Sequence, residues 1–100
     1  MFAKGFYVYI ITNKRNGTLY IGHTDNIEKR MDEHRRGIFE GFSKKYGLKH
    51  LVWVERHDAR QDAFRRERQM KAWKRQWKLD LIEEHNPEWQ DLMDPKSSLG

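Results

Sequence analysis

Five side chains in this 100-residue sequence have the types and spacing to cut a phosphodiester: Tyr9, Tyr20, Arg30, His34 and Glu67. That chemistry needs an activated water, stabilisation of charge on the phosphorus oxygens, and help for the departing alkoxide. Tyrosine can relay or accept a proton, arginine can grip a phosphate bidentately, and a carboxylate can hold a hard divalent cation. Other chemistries find little support. The chain has no cysteine, so there is no thiol nucleophile, zinc-thiolate site or disulfide framework. Ser43 has no His/Asp relay, and His50, His57 and His85 show neither HxxxH nor HExxH spacing.

The elements that must position these five can be read from local pattern. Residues 6–13 (FYVYIITN) are β-branched and aromatic and predict a strand. Asn16-Gly17 is a turn signal, and residues 18–22 (TLYIG) predict the returning strand. Side chains alternate across a strand, so Val8 and Ile10 share one face while Tyr7 and Tyr9 share the other. Any even-length hairpin loop then puts Tyr9 and Tyr20 on the same side. The aliphatics Val8, Ile10, Leu19 and Ile21 should form the core face and the tyrosines a second surface. Asp25 or Asn26 can cap a helix running to about Arg36, with Gly37 as its stop. In that helix Ile27 and Met31 form the apolar stripe, and Arg30 and His34 stand one turn apart on a neighbouring face.

Residues 37–49 read as a long exposed connection, and residues 51–55 (LVWVE) as a third strand. Lys44 and Lys45, beside Tyr46, either touch a nucleic-acid backbone or remain solvated. Asp58 should cap a basic helix that resumes through Trp77 to Glu84 and ends at Asn86-Pro87. Residues 1–95 then make one domain, with a frayed tail over 96–100.

The charge is concentrated in that basic helix. The net charge is +5, the pI about 9.6 and the mean hydropathy -1.05. Residues 59–78 carry eight Lys/Arg against two acids, whereas the rest of the chain carries one more acid than base. Arg65, Arg66, Arg68 and Lys71 are therefore candidates for contacting nucleic acid. Four tryptophans argue for a packed core rather than disorder. No apolar run approaches the ~20 residues that span a bilayer, and the first residues lack an apolar leader. A soluble, cytoplasmic protein with no membrane partner is expected.

The apolar stripe of the basic helix runs Ala63, Met70, Trp73, Trp77, with Phe64 alongside, and Glu67 falls inside it. A carboxylate in a core-facing register needs a partner. That partner is either an arginine on a neighbouring element or a hard divalent cation.

Tyr7-Val8-Tyr9, Tyr20-Ile21-Gly22, Asn26 to Arg30 and His34 together resemble the GIY-YIG nuclease family. Val8-Tyr9 stands for the Ile-Tyr of the first motif, with Tyr7 where its glycine would be. The second motif matches letter for letter. Residues 63–69 (AFRRERQ) resemble the segment that carries the family's metal-binding glutamate. The resemblance implies an α+β domain, a three-stranded antiparallel sheet flanked by helices, that hydrolyses DNA with one divalent metal, Mg²⁺ or Mn²⁺. Within the family the chain resembles the small stand-alone bacterial members, for which DNA repair or recombination is one candidate setting. Carried over, Tyr9 and Tyr20 are the motif tyrosines, one of which deprotonates the nucleophile through water, with Tyr9 the closer candidate. Arg30 would hold the scissile phosphate, Glu67 the metal, and His34 would orient water or phosphate. Gly22 would let backbone approach closely. His23 stands where relatives often carry lysine or a small residue, so a lysine role in base activation is not carried over. Tyr7 competes with Tyr9 for the first position, and Asn86 either matches a late asparagine near the site or caps its helix. The features also fit a nucleic-acid-binding module without catalysis, or a scaffold whose basic helix meets an acidic protein. Oligomeric state is open.

Overall fold

The computed structural model describes residues 2–38 and 45–98. Strands β1 (Phe6–Thr12) and β2 (Leu19–Thr24) form the expected hairpin, and β3 (His50–His57) joins on the other side of β1. The antiparallel sheet has the order β2-β1-β3, which leaves β2 as an edge strand. Helix α1 (Ile27–Arg36) follows β2; α2 (Arg60–Lys71) and α3 (Arg75–His85) follow β3. The architecture is α+β, as expected. A second, two-stranded sheet of β4 (Gln90–Asp91) and β5 (Asp94–Ser98) closes the described chain.

Tyr9 pairs with Gly22 and Ile11 with Tyr20, so both motif tyrosines lie on one face of the sheet. That second surface is covered as well. Six of the seven β1 residues are buried, because both sides of the sheet are covered. Val8, Ile10, Ile21, Val52 and Trp53 pack with Ala63 and Met70 of α2, Ile82 of α3 and Trp89. On the opposite face Tyr7, Tyr9 and Ile11 pack with Ile27 and Met31 of α1, and with Leu48 and Leu51. A register shift between Ile10 and Ile11 inserts one residue of β3. This bulge lets the consecutive Val52 and Trp53 join the same core, which strict alternation forbids.

Helix α1 keeps its predicted bounds. The Asn26 side chain accepts from the Lys29 N–H, and Gly37 closes the helix at φ 67. Asp25 instead pairs with Arg60 at 3.1 Å.

Two expectations are corrected. Asp58 does not cap the basic helix: the cap position is Ala59, with no side-chain bond, and Asp58 pairs with Arg56 at 2.6 Å. The basic segment is two helices, because Lys74 is extended and Arg75 of the new helix donates to the carbonyls of Asn16 and Gly17, each at 2.7 Å. Trp77 consequently leaves the buried stripe and is 53 % exposed. The chain turns at Leu92-Met93, and β5 pairs backward onto β4. Buried Asp91 anchors that turn. It takes the N–H groups of Leu51 (3.4 Å) and Met93 (3.0 Å), the Arg35 guanidinium (2.7 Å) and His50 (3.3 Å).

Candidate active site

The site is built around the edge strand β2. On the α1 side, Tyr9, Tyr20 and His34 make a triangle of rings. Tyr9 and Tyr20 are 6.4 Å apart between centroids, and each lies 5.8 Å from His34. The Tyr9 hydroxyl is hydrogen-bonded to His34 Nε2 at 3.0 Å. Gly22, opposite Tyr9 in the ladder, makes this packing possible. A Cβ there would stand 2.5 Å from the Tyr9 hydroxyl oxygen, 2.7 Å from its Cζ and 3.1 Å from Tyr20 Cε2. No side chain fits without moving the triangle.

Arg30 stands one turn before His34, its Nε 3.4 Å from Glu33 Oε1. Burial pushes the Tyr9 phenol well above the ordinary tyrosine range. Charge on Tyr20 and on Glu67 pushes the same way, and the Arg30 guanidinium opposes them by charge and hydrogen bond. Burial, and then the Arg30 charge, hold the His34 imidazole down at about 4, with Glu33 opposing. His34 is therefore neutral near pH 7, and its bond to Tyr9 joins a neutral imidazole to a neutral phenol. The two motif tyrosines differ in environment. Tyr9 is wholly buried and held protonated, whereas Tyr20 is only partly buried.

On the α2 side stands Glu67, 8 % exposed, inside the stripe as its register requires. Its partners are not arginines. Oε1 is 2.5 Å from His23 Nδ1, and Oε2 is 3.0 Å from Lys71 Nζ. Burial alone would raise this carboxyl, but hydrogen bonds from His23 and Lys71 outweigh it and leave the pKa below the ordinary value. Lys71 also lies 5.6 Å above the Tyr20 ring, so one lysine joins the carboxylate to the tyrosine triangle across the strand edge. His23 packs edge-on against Phe64 at 5.5 Å. Neither partner of Glu67 was identified from the sequence. Lys71 had a signal, its i,i+4 spacing from Glu67; His23 had none, since it lies 44 residues away.

Other candidates lie elsewhere. The Tyr7 hydroxyl donates to the Ala3 carbonyl and its ring meets Phe2, so Tyr7 ties down the N-terminal segment. Asn86 caps α3, but its amide also donates to the carbonyls of Val52 (3.0 Å) and Gln90 (2.9 Å), stitching the helix end to β3. Arg66 forms an ion pair with Glu55 at 3.1 Å and lies over Trp53 and Trp73. Arg65 pairs with Asp62 at 3.4 Å, Arg68 lies over Phe64, and Lys45 lies over Tyr46. Lys44, like Ser43, falls outside the described residues.

A hard divalent cation fits this donor set in one way. Among the described residues no three His, Cys, Asp or Glu side chains converge on a point. Glu67 alone would hold the ion, which would keep most of its water shell, as Mg²⁺ does readily. The Glu67 carboxylate is ionised, and Lys71 is half exposed on a flexible stem that can yield Oε2.

Comparison with known proteins identifies relatives of this chain. Residues 5–80 match the family described as the GIY-YIG catalytic domain. The chain is 40% identical over 78 residues to a UPF0213 protein of Staphylococcus haemolyticus, and 38% identical over 78 residues to one of Staphylococcus saprophyticus. Each alignment covers 78% of this chain and 94% of the relative. The solution NMR structure of the UPF0213 protein BH0048 from Bacillus halodurans superposes with a TM-score of 0.51 at 26% identity, over 81% of this chain and 85% of that one. The second motif at Tyr20-Ile21-Gly22, the ring triangle it closes and the match over residues 5–80 lead to one assignment: the chain belongs to the GIY-YIG catalytic domain family.

Proposed function

We propose that this protein is a metal-assisted endonuclease that hydrolyses DNA phosphodiester bonds. One observation carries the reading: an ionised, buried carboxylate, Glu67, is tethered through Lys71 to Tyr20, whose ring packs on the Tyr9–His34 pair. Arg30, beside that pair on α1, supplies the cation for the non-bridging oxygens of the scissile phosphate. Tyr20, the partly buried tyrosine, positions the attacking water. Tyr9 and His34 sit behind it and hold its ring. A cation on Glu67 would supply Lewis-acid polarisation of the phosphate and of the leaving oxygen. The water oxygen bonds to phosphorus as the ester P–O bond breaks. The proton released by the water is balanced by the one the leaving alkoxide takes up. His23 and Lys71 keep Glu67 ionised in the free protein. Membrane chemistry plays no part in this reading, and no helix of the described residues is long and apolar enough to cross a bilayer.

The test is cleavage of supercoiled plasmid and of branched and single-stranded DNA, with Mg²⁺, Mn²⁺ or EDTA, beside Glu67→Ala. Metal-dependent cutting that Glu67→Ala abolishes is expected. Cutting that survives the substitution overturns the site assignment, and salt-sensitive binding without any cutting favours a binding module.

A further inference from the structure

A cavity of about 580 Å³ opens away from the ring triangle, between the β1–β2 turn and the start of α3. Lys14, Arg75 and Lys78 line it, together with Asn13, Asn16 and Thr18. Three cations thus converge with amide and hydroxyl groups, and no carboxylate is among the lining residues. The cavity lined by Lys4, Arg56 and Arg60 differs, because Asp25 and Asp58 line it too. Arg15 at the same turn pairs with Glu83, and Arg30, Arg35, Arg36, Arg56, Arg60, Arg65 and Arg66 each have an acidic partner. Among the described residues, Lys14, Arg75 and Lys78 have none.

The walls of the cavity are fixed by the fold. Arg75 donates to the carbonyls of Asn16 and Gly17, which locks the turn to α3. The Asn13 side chain accepts from the Thr18 N–H at 3.0 Å, and the Thr12 hydroxyl donates toward the carbonyls of Lys14 (2.9 Å) and Thr18 (2.8 Å). Asn16 holds a left-handed φ of 56 in this turn. Arg75 and Lys78, three residues apart, share one helical face. A site held this way loses little entropy when it takes up an anion.

We propose that this cavity is a second phosphate-binding site, taking a backbone phosphodiester of the DNA strand outside the bond that is cut. The assignment rests on the nucleic-acid reading of the catalytic cleft. Thr18 and Leu19 line the cavity and Tyr20 follows directly on β2. The distance from Thr18 to Gly22 along the strand is about 13 Å at roughly 3.3 Å per residue. A strand lying along the sheet edge therefore reaches both places. The cavity sets register and affinity and leaves the chemistry to Glu67 and Tyr20.

The experiment compares wild type with Lys14→Ala/Lys78→Ala and with Lys14→Arg/Lys78→Arg. A 5′-labelled oligodeoxynucleotide is titrated in EDTA across a salt series, with inorganic phosphate as a competitor at constant ionic strength. The alanine pair should lose affinity on the order of tenfold and lower the log K against log salt slope by about 1.4, two contacts at roughly 0.7 each for a single strand. The arginine pair should bind like wild type. In cleavage assays the loss should fall on KM and not on kcat. An alanine pair that binds with wild-type affinity and slope overturns the proposal, as does competition by phosphate with no effect of the variants on DNA. If wild type nevertheless cuts DNA, the nuclease reading stands and only the second site falls. If wild type neither binds nor cuts, both fall.

Discussion

Glu67 and Asp91 are both buried carboxylates, and each is paired with one histidine and one longer cation. Their remaining contacts separate them. Asp91 also accepts from two backbone N–H groups, those of Leu51 and Met93, so its partners belong to the frame of the fold. Glu67 has two side chains as its only hydrogen-bonding partners among the described residues, and Lys71 is half exposed. Asp91 is committed to holding the β4–β5 turn on the end of β3. In the proposed function Glu67 would exchange a partner for an incoming ion. A buried acid alone therefore identifies no function; what distinguishes the two is whether the partners can move.

The largest effect expected from this contrast is on activity. Glu67→Gln should lower the cleavage rate on the order of a thousandfold, the scale of removing an electrostatic contributor to the transition state. Its thermal midpoint should stay close to wild type, because the amide still accepts from His23 or Lys71. Single-turnover cleavage and a melting curve on the same preparation check both halves.

A second effect concerns His34 and is read in stability. Its folded pKa, about 4, lies below the unfolded value of 6.5. Between these values the unfolded chain binds more protons, so stability rises with pH across that window and is lost as pH falls through it. The loss should amount to about 3 kcal/mol between pH 7 and pH 4, at roughly 1.4 kcal/mol per unit. The lowered Glu67 carboxyl acts in the same direction, its stabilisation fading as pH falls through its folded value. Urea midpoints for wild type and His34→Gln across this range should converge at low pH. Parallel curves would break the account of His34 as a buried neutral histidine.

Asp91→Ala should cost about 2–3 kcal/mol, because two buried N–H groups lose their acceptor. The partly exposed Arg35 pair adds little to that sum. At a temperature where the variant remains folded, its cleavage rate should match wild type. A large activity loss without a stability loss would erase the contrast with Glu67. The smallest effect is expected at Tyr7→Phe, which removes a hydrogen bond to Ala3 worth about 1 kcal/mol. Amide exchange near the N-terminus should report it, with cleavage unchanged.

Much of the candidate site was legible because it depends on local periodicity. Hairpin parity placed Tyr9 and Tyr20 on one face, helical spacing placed Arg30 beside His34, and the register of the α2 stripe turned Glu67 inward. What covers a face is not local. The burial of the tyrosines comes from α1 laying Ile27 and Met31 across them, which alternation within β1 cannot disclose. The break before Arg75 carries no proline or glycine, and its tie to the Asn16 and Gly17 carbonyls spans more than half the chain. The partnership of His23 with Glu67 and the anchoring of the last strands by Asp91 are likewise long-range. Neither leaves a mark in spacing.

The exchangeability of Glu67 is tested most directly by titrating uniformly ¹⁵N-labelled protein with Mn²⁺ and recording which amide signals broaden. Broadening that begins at His23, Glu67, Lys71 and Tyr20, and that Glu67→Gln abolishes while Leu51, Asp91 and Met93 stay sharp, is the predicted result. Broadening centred on Asp91, or a pattern that Glu67→Gln leaves unchanged, would contradict the assignment of Glu67 as the carboxylate that receives the ion.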